Sequence, residues 1–278
     1  MADMRDGKFA HDATAAPQSD RVLPLFSLKG KTAIVSGASS GIGLGIAQAF
    51  AEAGANVAIW YNKRKDEAEQ AAADIEKAYG VKCKPPLVSS RIHTRDSQPL
   101  LVQTGQAYQV NVTSYSAVAS AIDSIVAAFN GRLDVFVANS GIPWTQGPML
   151  DGTVDLYSDV VKTNLDGTYF CARAAGLHFR RQKQEGTTVH GMPLEPRFTG
   201  GSFIATASMS GHIVNVPQLQ ASYNASKAAV VHLCRSLAVE WVGFARANSV
   251  SPGYIRTSIS EFCDAETKRA WKDKIPMG

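Results

Sequence analysis

From Leu28 onward, short β-branched or apolar runs alternate with longer segments whose apolar positions recur at helical spacing. TAIVSG (32–37), NVAIWY (56–61), LDVFVAN, GSFIATAS and ARANSVSP read as strands, most of them nearly continuous in apolar residues. AYQVNV and VKCK would together make one more. Between them the pattern predicts helices over 42–53, 65–79, 117–129, a long one near 160–182, one containing Tyr223 and Lys227, and a short one near 266–274. Strict strand and helix alternation with uniformly apolar strands predicts an α/β fold, a doubly wound parallel sheet with helices on both faces. Such sheets bind ligands outside the carboxyl ends of their strands.

Two places break the rhythm. Residues 85–106 (PPLVSSRIHTRDSQPLLVQTGQ) have no clean period and interrupt what would be one strand. They read either as a surface loop or as the translated remnant of an unspliced intron, and an insertion of this size is unusual in a compact domain. The chain then stops at KIPMG, with no further strand after the 266–274 helix. The expected organisation is a loose extension over 1–27 and one catalytic domain over 28–278, with the insertion and a truncated C-terminus.

Composition removes several function classes. With 278 residues, 45% hydrophobic and 19% charged, the chain is long enough for a sizeable core and ordinary for a globular protein. A net charge of +4 is modest, and the basic residues cluster only at Lys63, Arg64, Lys65 and the 180–183 run, which argues against nucleic acid as a partner. No apolar run approaches the ~20 residues of a membrane span. Cys83, Cys171, Cys234 and Cys263 lie far apart, with no CxxC or histidine at ligand spacing. That pattern points to reduced thiols in a cytoplasmic protein and to no metal site. His178, His190, His212 and His232 lack ligand partners in sequence and read as surface or hydrogen-bonded residues.

The candidate chemistry sits at strand ends. SGASSGIG (36–43) follows the first strand and opens a helix, and Gly37, Gly41 and Gly43 would let backbone approach a pyrophosphate at the helix N-terminus. A dinucleotide is the reading. At the end of the second strand, WYNKRK puts Asn62, Lys63 and Arg64 where an NAD site places an acid. Positive charge there favours NADP(H); the competing view is a solvated start to the next helix. In SYNASKAAV (222–230), Tyr223 and Lys227 share a helix face at i,i+4 spacing, a pair that by itself is as consistent with ordinary helix surface as with catalysis.

With the glycine loop, NSG (139–141), SMSG (208–211), YNASK (223–227) and SPGYIRT (251–257), the chain resembles the short-chain dehydrogenase/reductase family from about residue 28 onward. Longer stretches resemble the family's fungal NADPH-dependent polyol/ketose branch. The resemblance implies a three-layer αβα Rossmann-type fold, here without the family's last strand, and a homo-oligomer in the intact family member. It also implies that Tyr223 is the catalytic tyrosine. Lys227 would then be the cation that stabilises its anion and holds the nicotinamide ribose, and Ser208 the hydroxyl orienting the substrate carbonyl, with Ser210 as rival. Asn164 matches the asparagine that supports a proton-relay water, or else makes a helix-interior hydrogen bond. Ser39, Ser40 and Ile42 belong to the nucleotide loop. Asn139 and Gly141 lie beside the cofactor, and Pro252, Gly253, Ile255 and Thr257 shape the nicotinamide pocket.

Departures are Asn111 where the family usually has an aspartate near the adenine, Ser140 in place of alanine, and a slightly long spacing from Ser208 to Tyr223. Trp144 and Tyr254 line the pocket or pack beside it. The expected function is NADPH-dependent interconversion of a ketose and its polyol. The alternatives are a broader carbonyl reductase acting on other ketones, or a catalytically defective dinucleotide-binding product of a faulty gene model.

Overall fold

The apolar runs form a parallel sheet because each of its faces has helices to bury against. The computed structural model describes residues 21–83 and 107–276, so the 85–106 insertion and most of the 1–27 extension lie outside the described residues. Six strands are present: β1 (Thr32–Val35), β2 (Asn56–Tyr61), β3 (Tyr108–Gln109), β4 (Val135–Ala138), β5 (Gly201–Thr206) and β6 (Ala245–Val250). All pair in parallel, in the order β3-β2-β1-β4-β5-β6. The order reverses between β1 and β4, which opens a crevice at their carboxyl ends.

Helices α1 (Val22–Leu25), α2 (Gly41–Glu52), α3 (Lys65–Tyr79), α4 (Tyr115–Ala128), α5 (Val154–Val161), α6 (Gly167–Glu185), α7 (Ala221–Glu240) and α8 (Ala265–Lys274) complete the described chain. Neighbouring residues of one strand feed opposite cores. Ile34, Trp60, Phe136 and Phe203 pack with residues of α4, α6 and α7, whereas Ala33, Val35, Ile59 and Val137 pack with residues of α2 and α3. Burial on both faces is why these strands show no polar alternation. Alternation appears toward the β6 edge: β5 alternates buried with half-buried positions, and in β6 Ala245 and Ala247 are buried while Arg246 and Asn248 are exposed.

Three expectations shift. The long helix begins earlier, as α5, because Thr153 caps it by accepting the Leu156 N–H at 3.2 Å. A π-helical segment, Lys162–Asp166, then joins α5 to α6. The AYQVNV strand shrinks to the two residues of β3, while on the VKCK side of the break Lys82 bonds β2 through its C=O, which accepts Val57 N–H at 2.9 Å, and its N–H, which donates to Asn56 Oδ1 at 3.1 Å. Among the described residues no helix is long and apolar enough to cross a membrane, and none of the four buried cysteines forms a disulfide.

The start of β4 holds an ion pair that the sequence pattern did not mark. Arg132 donates to both Asp134 carboxylate oxygens, at 2.8 and 2.6 Å, and to Pro196 C=O at 2.6 Å. Asp134 also accepts Thr32 N–H at 2.9 Å, so the pair joins β1 to β4. Both side chains are buried. Removing one member of such a pair strands the other charge, at a cost of about 3–5 kcal/mol. Asp134→Ala is therefore expected to lower stability by about that amount. Urea unfolding checks this, and a midpoint equal to the parent's would show that the pair is dispensable.

Candidate active site

The glycine loop after β1 needs residues without a side chain at specific points. Gly37 and Gly41 have φ of 61° and 59°, the left-handed region that favours glycine. A Cβ on Gly43 would stand 2.4 Å from Gly37 C=O and 2.6 Å from the Asn139 amide nitrogen, so α2 could not start this close to the loop. Asn139 donates to Ser36 C=O and Gly37 C=O, each at 3.1 Å, and accepts from the Thr206 hydroxyl at 3.1 Å. One amide thus fixes the loop against β4 and β5. The backbone N–H groups at the start of α2, with the positive end of the helix dipole, are suited to an anion such as a pyrophosphate.

At one end of this loop, Arg64 donates to Ser40 Oγ at 2.9 Å and to Ser258 Oγ at 3.0 Å. Lys63 and Asn62 stand beside it, exposed, on the crevice wall. This is charge chemistry for a phosphate rather than for ribose hydroxyls alone. Asn111 behaves differently from the expectation. It is exposed, does not line the crevice, and accepts from Thr113 N–H at 3.1 Å and Thr113 Oγ at 2.9 Å. Its side-chain oxygen closes the turn ahead of α4, whose cap is Ser114.

Deeper in the crevice, Tyr223 and Lys227 emerge from the first two turns of α7. Small residues there let the helix approach its neighbours: a Cβ on Gly211 would meet the Lys227–Ala228 backbone at 2.9 Å. Lys227 is 4% exposed, donates to Thr206 C=O at 2.7 Å, and has its Nζ 5.7 Å from the Tyr223 ring centroid. Burial lowers its pKa to about 8. Burial raises the Tyr223 phenol, and a hydrogen bond to Ser208 brings it part of the way back. At neutral pH the phenol is therefore a proton donor.

Ser208 Oγ accepts Ser210 N–H at 3.1 Å. The rival, Ser210, has its own hydroxyl engaged by Gln220 at 3.0 Å and does not line the crevice. Asn164 is fully buried in the π-helical segment; it accepts Ile142 N–H at 2.8 Å and donates to Ile142 C=O at 3.1 Å and Ser226 Oγ at 3.2 Å. Both Asn164 and Lys227 crowd Gly141, where a Cβ would lie 3.1 Å from Asn164 Oδ1 and 3.4 Å from Lys227 Nζ.

These groups face one crevice of about 660 Å³. It is lined by Gly37, Ser39, Ser40, Gly41, Ile42, Asn62, Lys63, Arg64, Asn139, Gly141, Ser208, Tyr223, Lys227, Pro252, Gly253, Ile255 and Thr257. Gly43, Asn111 and Asn164 do not reach its wall. The sequence reading missed Val110, Ile142, Pro143, Thr145, Thr163, Thr206, Ser258, Ile259 and Phe262, which also line it. Several of these directly follow a predicted strand or flank a motif, which is the signal that would have found them. Trp144 packs instead: its indole N–H donates to Gly147 C=O at 2.7 Å, and its ring covers Gly152. Tyr254 stacks on Trp271, with centroids 4.0 Å apart, and is not part of the lining. No group of three or more metal-ligating side chains occurs among the described residues.

Comparison with known proteins follows this geometry. A family model described as short chain dehydrogenase matches residues 31–96, and one described as Enoyl-(Acyl carrier protein) reductase matches 87–278. An L-xylulose reductase of Hypocrea jecorina is 62% identical, over 99% of this chain and 87% of its own. A probable NADP-dependent mannitol dehydrogenase of Yarrowia lipolytica is 46% identical, over 94% of this chain and 79% of its own. A sorbose reductase of Candida albicans is 44% identical, over 95% and 81%. Among solved structures, an NADPH-dependent 3-quinuclidinone reductase from Rhodotorula rubra superposes with a TM-score of 0.78 at 34% identity, covering 97% of this chain and 86% of that one.

The buried ammonium has a consequence for stability. The unfolded lysine keeps its proton to about 10.4, the folded one only to about 8. Between those values the unfolded chain binds more protons, so stability rises with pH across that window, and below it Lys227 is destabilising. Lys227→Met is expected to gain about 3 kcal/mol from the lost charge and to lose about 1 kcal/mol with the Thr206 bond. It should melt higher than the parent at pH 7, with the advantage fading by about pH 10. A melting temperature below the parent's at pH 7 would show that the ammonium is not destabilising there.

Proposed function

The chain belongs to the short-chain dehydrogenase/reductase family, and from that premise we propose that it is an NADPH-dependent reductase interconverting a ketose and its polyol. The observation that carries this reading is the convergence of Ser208, Tyr223 and Lys227 on one crevice whose other end is the glycine loop with Lys63 and Arg64. The fit to the coenzyme rests on the close approach at Gly43, which a Cβ would block. It rests equally on the Arg64 guanidinium where an NAD site has a carboxylate. Ser39, Ser40, Gly41 and Ile42 would hold the pyrophosphate, Lys63 and Arg64 the 2′-phosphate, and Pro252, Gly253, Ile255 and Thr257 the nicotinamide end. Bound there, the coenzyme supplies a hydride to the carbonyl carbon of the substrate.

This chain's own groups manage the oxygen. Ser208, its oxygen accepting Ser210 N–H, turns its O–H from Tyr223 toward the carbonyl and orients it. Tyr223 gives its phenolic proton to that oxygen, so a ketone and a proton leave as a secondary alcohol once the hydride has been received. Lys227 offers a buried positive charge that opposes the negative charge left on the phenol. Asn164 holds the Ile142 backbone and α7 at fixed spacing behind it. The same groups run the reverse oxidation with NADP⁺. We place the enzyme in the cytoplasm, consistent with thiols that form no disulfide, and take the intact family member to be a homo-oligomer.

The relatives named for xylulose, mannitol and sorbose favour a sugar, while the likeness to a quinuclidinone reductase and the apolar Pro143, Ile259 and Phe262 favour a second reading, a broader carbonyl reductase. The test is NADPH oxidation followed with L-xylulose, D-fructose and L-sorbose beside cyclohexanone and 3-quinuclidinone. The expected result is turnover of at least one ketose, lost at least 1,000-fold (about 4 kcal/mol,) in Tyr223→Phe while NADPH still binds. Turnover of the simple ketones alone favours the second reading, and none at all sinks both.

Coenzyme choice has its own check. Lys63→Glu and Arg64→Glu bring a carboxylate to the 2′-phosphate, and each is expected to raise the NADPH dissociation constant about tenfold or more (at least about 1.4 kcal/mol,) with little change for NADH. Fluorescence titration of both nucleotides measures this. An unchanged NADPH-to-NADH ratio in both variants would refute the assignment.

A further inference from the structure

Beneath the crevice lies a polar network that none of the steps above uses. Gln220 precedes α7 as its N-cap but makes no capping bond to the helix. Its amide instead spends both N–H groups elsewhere, donating to Ser210 Oγ at 3.0 Å and to Asn215 Oδ1 at 3.0 Å. Asn215 in turn donates to the Tyr254 hydroxyl at 2.9 Å. Ser210, Asn215 and Gln220 are 5%, 2% and 7% exposed, so each bond is made away from water and each orphaned group would be costly.

The two ends of the network matter. At one end, Ser210 N–H donates to Ser208 Oγ, and Gly211 seats the same turn against the backbone of α7 at Lys227 and Ala228. At the other, Tyr254 stacks flat on Trp271 of α8, with planes 10° apart, and Lys274 of α8 donates to Val216 C=O at 2.8 Å. The bonds therefore run from α8 through the segment before α7 to the turn that carries Ser208. Gln220 is three residues ahead of Tyr223. Any shift of the 208–211 turn relative to the head of α7 changes the separation of the Ser208 and Tyr223 hydroxyls.

We propose that Gln220 and Asn215 are positioning residues: a buried amide clasp that fixes the Ser208 turn against the head of α7, and ties both to α8 through Tyr254. The clasp touches neither substrate nor coenzyme and acts through Ser208 and Tyr223. It rests on reading those two as the reacting pair, not on which ketone they reduce. Among the described residues, Gln220 supplies the two donors that bridge Ser210 and Asn215, so an isosteric residue without them opens the clasp while filling its space.

Gln220→Met is the test, in the full chain with NADPH and L-xylulose. The expected kcat falls about 10- to 100-fold, the cost of a displaced reacting group, while KM for L-xylulose and the NADPH dissociation constant stay within about twofold. Deuterium at the transferred position of NADPH should slow the variant more than the parent, because the chemical step has become limiting. Asn215→Leu combined with Gln220→Met leaves no orphan at the bond between the two, while the Ser210 and Tyr254 hydroxyls each lose a donor; it should recover part of the melting temperature that Gln220→Met loses, without regaining kcat.

A kcat within about twofold of the parent in either variant overturns the proposal, as does a fall in kcat matched by equal losses in both binding constants, since that is collapse of the crevice. If the parent reduces no ketose, cyclohexanone replaces L-xylulose. If it reduces neither, the functional reading fails separately, and crystal structures decide the clasp: Gln220→Met must break the 3.1 Å contact between Ser210 N–H and Ser208 Oγ, and an unmoved turn overturns the proposal.

Discussion

The constraint around which this crevice is built is the burial of a positive charge. Lys227 reaches the carboxyl end of β5 with one hydrogen bond, to Thr206 C=O, and almost no access to water. A cation in such a place is unfavourable unless the chemistry needs it. Its cost is accepted by surroundings that cannot move: Gly141 leaves room for the ammonium, Asn164 locks the segment behind it, and Gly211 lets the Ser208 turn press on the same helix. Preorganised charge in a site of low polarity stabilises a developing anion without rearrangement, which is what a carbonyl reduction demands.

Rigidity at the other end of the crevice has the same origin. Asn139 holds the glycine loop, β4 and β5 with one side chain, and Arg64 reaches from the end of β2 to Ser40 and to Ser258. The Arg132–Asp134 pair, at the opposite ends of β1 and β4, fixes the two strands whose divergence makes the crevice. Polar groups thus pin the framework wherever backbone leaves the sheet, and apolar packing on its two faces supplies the bulk of the stability.

The titration directions assign the two ends of the reaction unequal ease. In the proposed reaction, a phenol raised by burial holds its proton at neutral pH and gives it up to a carbonyl oxygen that is becoming an alkoxide. The reverse oxidation requires the phenol to lose that proton first. Ser208 favours this and burial opposes it, so the oxidative direction is helped by alkaline conditions in a way reduction is not.

Much of this was legible in the residues themselves. Runs such as NVAIWY and segments such as 65–79 fix strand and helix by spacing alone, with β2 and α3 forming over those same residues, and SGASSGIG carries its own turn requirement in its glycines. Tyr223 and Lys227 could be put on one helix face because four residues make about one turn. Tertiary structure alone decided the rest. It turned Asn111 onto Thr113, buried Asn164 against Ile142, moved Trp144 and Tyr254 out of the crevice lining, and joined Gln220, Asn215 and Tyr254. The reason is range: periodicity reports neighbours within a turn or a pleat, whereas Arg64 meets Ser258 across 194 residues of sequence, and only the folded sheet brings such positions to hydrogen-bonding distance.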